Sequence, residues 1–122
     1  INETTSCLIF ISSVMGISGE IGKSLYSMTK GSLIAGSKSL ALELAPRKVR
    51  VNCISPAVVD TEMSKNAVYR RDEELFNKIK NLHPLGLGLP EDVAYASACL
   101  LSEASRWVTG SNLVVDGGYL AK

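Results

Sequence analysis

Tyr26 and Lys30 stand four residues apart, and Ser13 lies thirteen positions before the tyrosine. On a helix four residues make about one turn, so the phenol and the ammonium project from the same face. A cation beside a phenol favours the phenolate, which lets such a group exchange a proton with a substrate. It can give that proton to a carbonyl oxygen or take one from an alcohol. Ser13, at the end of an apolar run, can offer a hydroxyl to the same oxygen. A strand-and-turn run, Val51-Asn52-Cys53-Ile54-Ser55-Pro56-Ala57-Val58-Val59-Asp60-Thr61, follows. Together these residues form the proton-handling part of a hydride-transfer site.

The elements that must position them are legible from periodicity. Cys7–Ile11 is a continuous β-branched and aromatic run, as expected of a strand covered on both faces. Ser12, Ser13 and the glycine-bearing stretch 14–22 form the loop at its carboxyl end. A long helix follows, capped by Ser24, carrying Leu33, Ile34, Ser37, Leu40, Ala41 and Leu44 on one face and ended by Pro46. Residues 49–54 predict a second strand, with Pro56 outside its interior. Residues 61–66 predict a helical turn. Asp72 opens a helix whose apolar face is Leu75, Phe76, Ile79 and Leu82. Pro90 starts another, with Val93, Ala96, Leu100 and Leu101 turned inward. Residues 113–115 form the last strand.

The order β, α, β, α, α, β predicts an α/β fold with a parallel sheet and right-handed crossovers. Open sheets of this kind bind ligands beyond the carboxyl ends of their strands, where Ser13 and the 56–61 loop both lie.

Composition narrows the function classes. The chain has 122 residues, 46% hydrophobic and 20% charged, with a formal net charge of +1. Its charges are mixed along the chain, so it has no basic stripe for nucleic acid. No apolar run is long enough to cross a membrane. Cys7, Cys53 and Cys99 have no metal-binding spacing and read as three small buried thiols of a reducing compartment. His83 is the single histidine, and no metal site is expected around it. It reads as structural, Trp107 as a core anchor and Arg70-Arg71 as a solvated loop. Met15, Met63 and Leu87 could line a pocket or pack a lid. The opening Ile1-Asn2-Glu3-Thr4-Thr5-Ser6 reads as the start of a piece of a longer protein.

These residues resemble the short-chain dehydrogenase/reductase family, in the group of 3-oxoacyl-carrier-protein reductases and tropinone reductases. The family's serine matches Ser13, and its Y-x-x-x-K matches Tyr26-Ser27-Met28-Thr29-Lys30. Its R-x-x-N-x-x-x-P segment matches Arg50-Val51-Asn52-Cys53-Ile54-Ser55-Pro56 after a one-residue shift, and its terminal D-G-G matches Asp116-Gly117-Gly118. Ala57 departs from the glycine most members carry.

The resemblance implies a Rossmann-like, doubly wound sheet, of which residues 1–122 would be the C-terminal half of a single NAD(P)-binding domain. That half would have three parallel strands with crossover helices. The family's glycine-rich phosphate turn belongs to the first half; Gly16, Gly19 and Gly22 read instead as part of the substrate loop. The resemblance also implies hydride transfer between NAD or NADP, with NADPH preferred, and a carbonyl or secondary alcohol. Tyr26 would be the general acid/base, Lys30 would hold the nicotinamide ribose, and Ser13 would orient the substrate carbonyl. Pro56, Val59 and Thr61, with Tyr26 and Lys30, would contact the cofactor. A cytoplasmic homodimer or homotetramer is implied, and an isolated half would be inactive. The alternative is a non-catalytic or truncated member acting only in assembly with partner chains.

Overall fold

The computed structural model describes residues 6–122. Three strands, β1 (Cys7–Ile11), β2 (Arg50–Pro56) and β3 (Asn112–Val115), form one parallel sheet in that spatial order. Cys7 pairs with Arg50 and Ile11 with Ile54, while Cys53 pairs with Asn112 and Pro56 with Val115. Pro56 closes β2 as its final residue, where its missing N–H costs no interior ladder bond.

Helix α1 (Ser24–Leu44) connects β1 to β2. It starts one residue earlier than a Ser24 cap requires. Lys23 occupies the cap position and makes no side-chain cap bond, so Ser24 is already helical. Pro46 sits in a 3₁₀ turn over Ala45–Arg47, and Lys48 leaves it in a left-handed conformation at φ 58°. Beyond β2 come α2 (Glu62–Lys65), α3 (Glu73–Asn81) and α4 (Pro90–Leu101).

The side chains of β2 show which face each helix covers. Cys53 turns to α1, bonding the Leu33 carbonyl and Ser37 hydroxyl. Arg50 turns the other way and donates to the Ser102 carbonyl and Ser105 hydroxyl beyond the end of α4. Helices therefore cover both faces, as a doubly wound fold requires. The strands step in one direction, so crossovers on opposite faces have opposite hand, and the expected right-handed rule cannot hold for both. The second connection runs from Pro56 to Asn112 and carries three helices, unlike the compact strand–helix–strand unit the rule describes.

β2 is buried from Arg50 to Ser55 and forms the centre of the core with Val14, Ala41 and Leu100. Four expectations about buried residues fail. The strand β1, read as covered on both faces, leaves Leu8 and Ile11 exposed. Trp107 is 91% exposed, Leu101 faces outward at 54%, and Cys99 is exposed while only Cys53 is fully buried. On α4 the buried residue is Leu100. The loop carrying Trp107 is anchored instead by the Val108 carbonyl, which accepts bonds from Arg50 and Asn52.

The loop after β1 lies against α1 at Gly16. A Cβ built there would stand 2.9 Å from the Lys30 carbonyl carbon, 2.9 Å from the Ser12 hydroxyl and 3.0 Å from the Gly31 nitrogen. Two of these are backbone atoms that cannot swing aside. Gly16→Ala is therefore expected to destabilise the protein by about 1–3 kcal/mol, read as a lower urea midpoint. An unchanged midpoint would show that the loop can lift from α1 at no cost.

Candidate active site

Ser13 follows β1 in extended conformation and caps the 3₁₀ turn Val14–Gly16. Its Oγ accepts the Met15 N–H at 3.1 Å. Its own proton has no acceptor among the described residues, so the buried hydroxyl can still donate. Tyr26 lies in the first turn of α1 and is 46% exposed. One turn further on, the Lys30 Nζ donates to the Ile11 carbonyl at 3.1 Å and stands 5.8 Å from the Tyr26 ring centroid. That ammonium occupies the last carbonyl of β1 while resting beside the phenol, at the outer edge of cation–π range.

Ser13 and Tyr26 open onto one cleft of about 590 Å³. Met15 and Val58 contribute to the same wall, and Val68, Leu75, Ile79 and Leu82 face them from α3 and the turn before it. The lining is mainly apolar, with Glu20 and Lys23 as its charged members. Such a surface suits a small organic molecule whose one polar group lies against Ser13 and Tyr26.

Pro56 ends β2, and Val59 and Thr61 lie on the loop leaving it, which reaches the cleft through Ala57 and Val58 rather than through those three. Val59 bridges Gly88 in parallel fashion: the Gly88 N–H donates to the Val58 carbonyl at 3.1 Å, and Asp60 N–H donates to the Gly88 carbonyl at 2.8 Å. This pairing turns the N–H and C=O of Val59 itself away from Gly88. The Val59 side chain lines a second recess of about 400 Å³ with residues 85–88, Asp116 and Gly117. Thr61 caps α2 in a reciprocal box, accepting the Ser64 N–H at 3.1 Å while its own N–H donates to the Ser64 hydroxyl at 2.8 Å. Its hydroxyl proton remains available.

Met15 lines the cleft and Leu87 the second recess, whereas Met63 is exposed and lines neither. Arg70 is not simply solvated, because it pairs with Asp60 at 3.3 Å and lies 4.3 Å from the Phe76 ring centroid. His83 and Tyr119 also line the cleft, and no spacing in the sequence singles them out. Among the described residues no group of three or more metal-ligating side chains is assembled, and no helix is long and apolar enough to cross a membrane.

Residues 1–120 match the family described as enoyl-(acyl carrier protein) reductase. An oxidoreductase of the short-chain dehydrogenase/reductase family from Burkholderia thailandensis superposes with a TM-score of 0.86 at 38% identity, covering 95% of this chain and 45% of that one. The chain belongs to the short-chain dehydrogenase/reductase family.

Two further similarities refine this membership. A 3-oxoacyl-[acyl-carrier-protein] reductase of Chlamydia trachomatis is 38% identical over 119 residues, 97% of this chain and 46% of its own length. A 4-hydroxyisoleucine dehydrogenase complexed with NADH superposes with a TM-score of 0.89 at 36% identity, covering 97% of this chain and 48% of that one. The chain thus spans about half the length of the curated relatives it matches.

The cap at Thr61 gives the site its first test. Thr61→Val removes the acceptor for Ser64 N–H and should cost about 1 kcal/mol at the start of α2. The expected readout is faster amide hydrogen exchange at Ser64, with exchange in β2 unchanged. Unchanged exchange at Ser64 would mean that the box does not hold α2.

Proposed function

We propose that residues 1–122 form the C-terminal half of one NAD(P)-binding domain, in an oxidoreductase that moves hydride between NAD(P)H and a carbonyl or secondary alcohol. The observation that carries this reading is that a donating Ser13 hydroxyl and the Tyr26 phenol open to one apolar cleft, with the Lys30 ammonium anchored beside the phenol.

In the reducing direction Ser13 donates a hydrogen bond to the substrate carbonyl oxygen and holds it at the cleft wall. Tyr26 gives that oxygen a proton as negative charge develops on it, and takes the proton back in the oxidising direction. Lys30 keeps a positive charge at the phenol through both directions, because its bond to Ile11 fixes the ammonium.

The residues present fit the nicotinamide end of a dinucleotide. Val59 offers an N–H and a C=O that its bridge leaves free, an arrangement complementary to a carboxamide. Thr61 can add its hydroxyl proton and Lys30 a ribose contact. Pro56 fixes the start of the loop and Tyr26 completes the set. The bound cofactor supplies the hydride. NADH in the related 4-hydroxyisoleucine dehydrogenase supports this assignment, and NADPH is kept beside it as the preferred form.

A second reading has its own observation. On its free side β1 has no partner strand among the described residues, and α1 exposes Leu25, Met28 and Leu42. Both features invite association. They support a homodimer or homotetramer of a cytoplasmic enzyme, or else a non-catalytic chain that works only in assembly with partners.

Fluorescence titration of the intact protein with NADH and NADPH separates the two readings. Saturable binding with turnover of a carbonyl substrate is expected, and absence of binding to either nucleotide would leave only the non-catalytic chain. Tyr26→Phe should lower turnover by about 10²–10⁴-fold while leaving nucleotide affinity nearly intact. Lys30→Ala should damage both, and a defect in turnover alone would argue against the ribose contact.

A further inference from the structure

We propose that His83 is a positioning residue for the cofactor, setting the Ala57–Val58 peptide that leads into Val59, whose N–H and C=O present the carboxamide contacts; this rests on the function proposed above. His83 follows α3 and is only 3% exposed. Its Nδ1 lies 2.8 Å from the Ile79 carbonyl oxygen, and its Nε2 lies 3.3 Å from the Val58 nitrogen. A carbonyl can only accept and an amide N–H can only donate. The two partners therefore select a neutral imidazole with its proton on Nδ1. The alternative tautomer, or a doubly protonated ring, would point an N–H at the N–H of Val58.

The ring cannot turn away from this task. The Tyr119 ring lies against it, with centroids 5.0 Å apart. The His83 backbone is bonded on both sides, its N–H to the Lys80 carbonyl at 3.1 Å and its carbonyl to the Gly86 N–H at 2.8 Å. Val58 is in turn gripped at both polar atoms, by His83 at the N–H and by Gly88 at the C=O. In extended chain these point to one side, and the N–H and C=O of Val59 point to the other. One imidazole thus joins α3, a wall of the substrate cleft, to the loop assigned to the nicotinamide. Without the acceptor, the Val58 N–H loses its partner and the Ala57–Val58 peptide is free to rotate, leaving the Gly88 bridge alone to hold Val59.

Two substitutions isolate the Val58 bond. His83→Asn places an amide nitrogen where Nδ1 stands, keeping a donor for Ile79, but is too short to reach Val58. His83→Gln extends an acceptor toward Val58. In the intact protein His83→Asn should weaken NADH or NADPH binding about tenfold or more and speed hydrogen exchange at the Val58 amide. His83→Gln should restore both. Wild-type affinity in a folded His83→Asn protein would overturn the proposal while leaving the assigned function intact. A wild-type protein that binds neither nucleotide would overturn both. If His83→Asn does not fold, the ring of the wild-type protein decides by nitrogen NMR. An Nδ1–H tautomer with a protected Val58 amide supports the positioning role, and an Nε2–H tautomer overturns it.

Discussion

The end of β1 is held against α1 by a contact that contains no side chain. Gly16 lies so close to Lys30 and Gly31 that a Cβ would overlap their backbone. Two hydrogen bonds flank this point: the Ser12 hydroxyl donates to the Lys30 carbonyl at 2.7 Å, and the Lys30 ammonium donates to the Ile11 carbonyl at 3.1 Å. A strand end, a loop and one helical turn are thereby fixed together over a few ångströms. Ser13 belongs to the strand side of this junction and Tyr26 to the helix side. Their relative placement is set before any substrate arrives, the condition under which fixed donors stabilise developing charge. A loop seated on a longer side chain could slide by a rotamer change, which a backbone contact does not permit.

The sheet carries this junction because its central strand is both dry and polar. Arg50, Asn52 and Ser55 are buried in β2 and reach outward to fixed partners. Asn52 donates to the Val108 carbonyl and accepts the Ser111 N–H, while Ser55 donates to Asn112 at 2.7 Å. These bonds tie β3 and the end of α4 to β2, and a register slip would leave several of these buried groups unpaired. The same bracing continues past β3. Asp116 accepts the N–H groups of Gly118 and Leu120, folding the chain back so that Gly118 packs on Pro84. The D-G-G sequence thus supports the segment around His83 from behind.

Much of this was legible in the sequence, for definable reasons. The strands and α3 announced themselves through unbroken apolar runs and end signals, and Asp72 caps α3 as its acidic first turn suggested. The residues Ser13, Tyr26 and Lys30 were singled out because the chemistry proposed for them depends on spacing along one helix and one strand end. What spacing could not convey was contact across the fold. Trp107 looks like a core residue by type, yet its loop is held by backbone carbonyls and leaves the ring outside. Thr61 was expected to contact the cofactor, and the structure shows it capping α2 with the hydroxyl proton still unassigned. Val59 is informative only through its backbone, whose direction is set by the bridge to Gly88, 29 positions further along the chain. The loop after Ser13 was read as a substrate loop and lines the cleft through Val14, Met15 and Glu20; that Gly16 is also a packing requirement against α1 had no signal in the spacing.

The two sides of the cleft differ in how firmly they are held. Ser13 and Tyr26 rest on the glycine junction and, through it, on the buried sheet. The opposite wall is α3 with the turn before it, whose Leu75 and Leu82 remain more than a third exposed. That wall is tied down by few polar links: Arg70 to Asp60, and His83 to Val58. A segment with little buried apolar area and few anchors belongs to the low-stability end of a structure. The arrangement separates two demands that conflict in one surface. The proton transfer proposed for Tyr26 needs atoms fixed to within a fraction of an ångström, which suits the wall resting on the glycine junction. Fitting a particular substrate needs shape, and shape is set by the wall whose residues can change without disturbing Ser13, Tyr26 or Lys30. On the function proposed above, such a fold keeps its chemistry constant while α3, the turn before it and the loop after Ser13 redefine what enters.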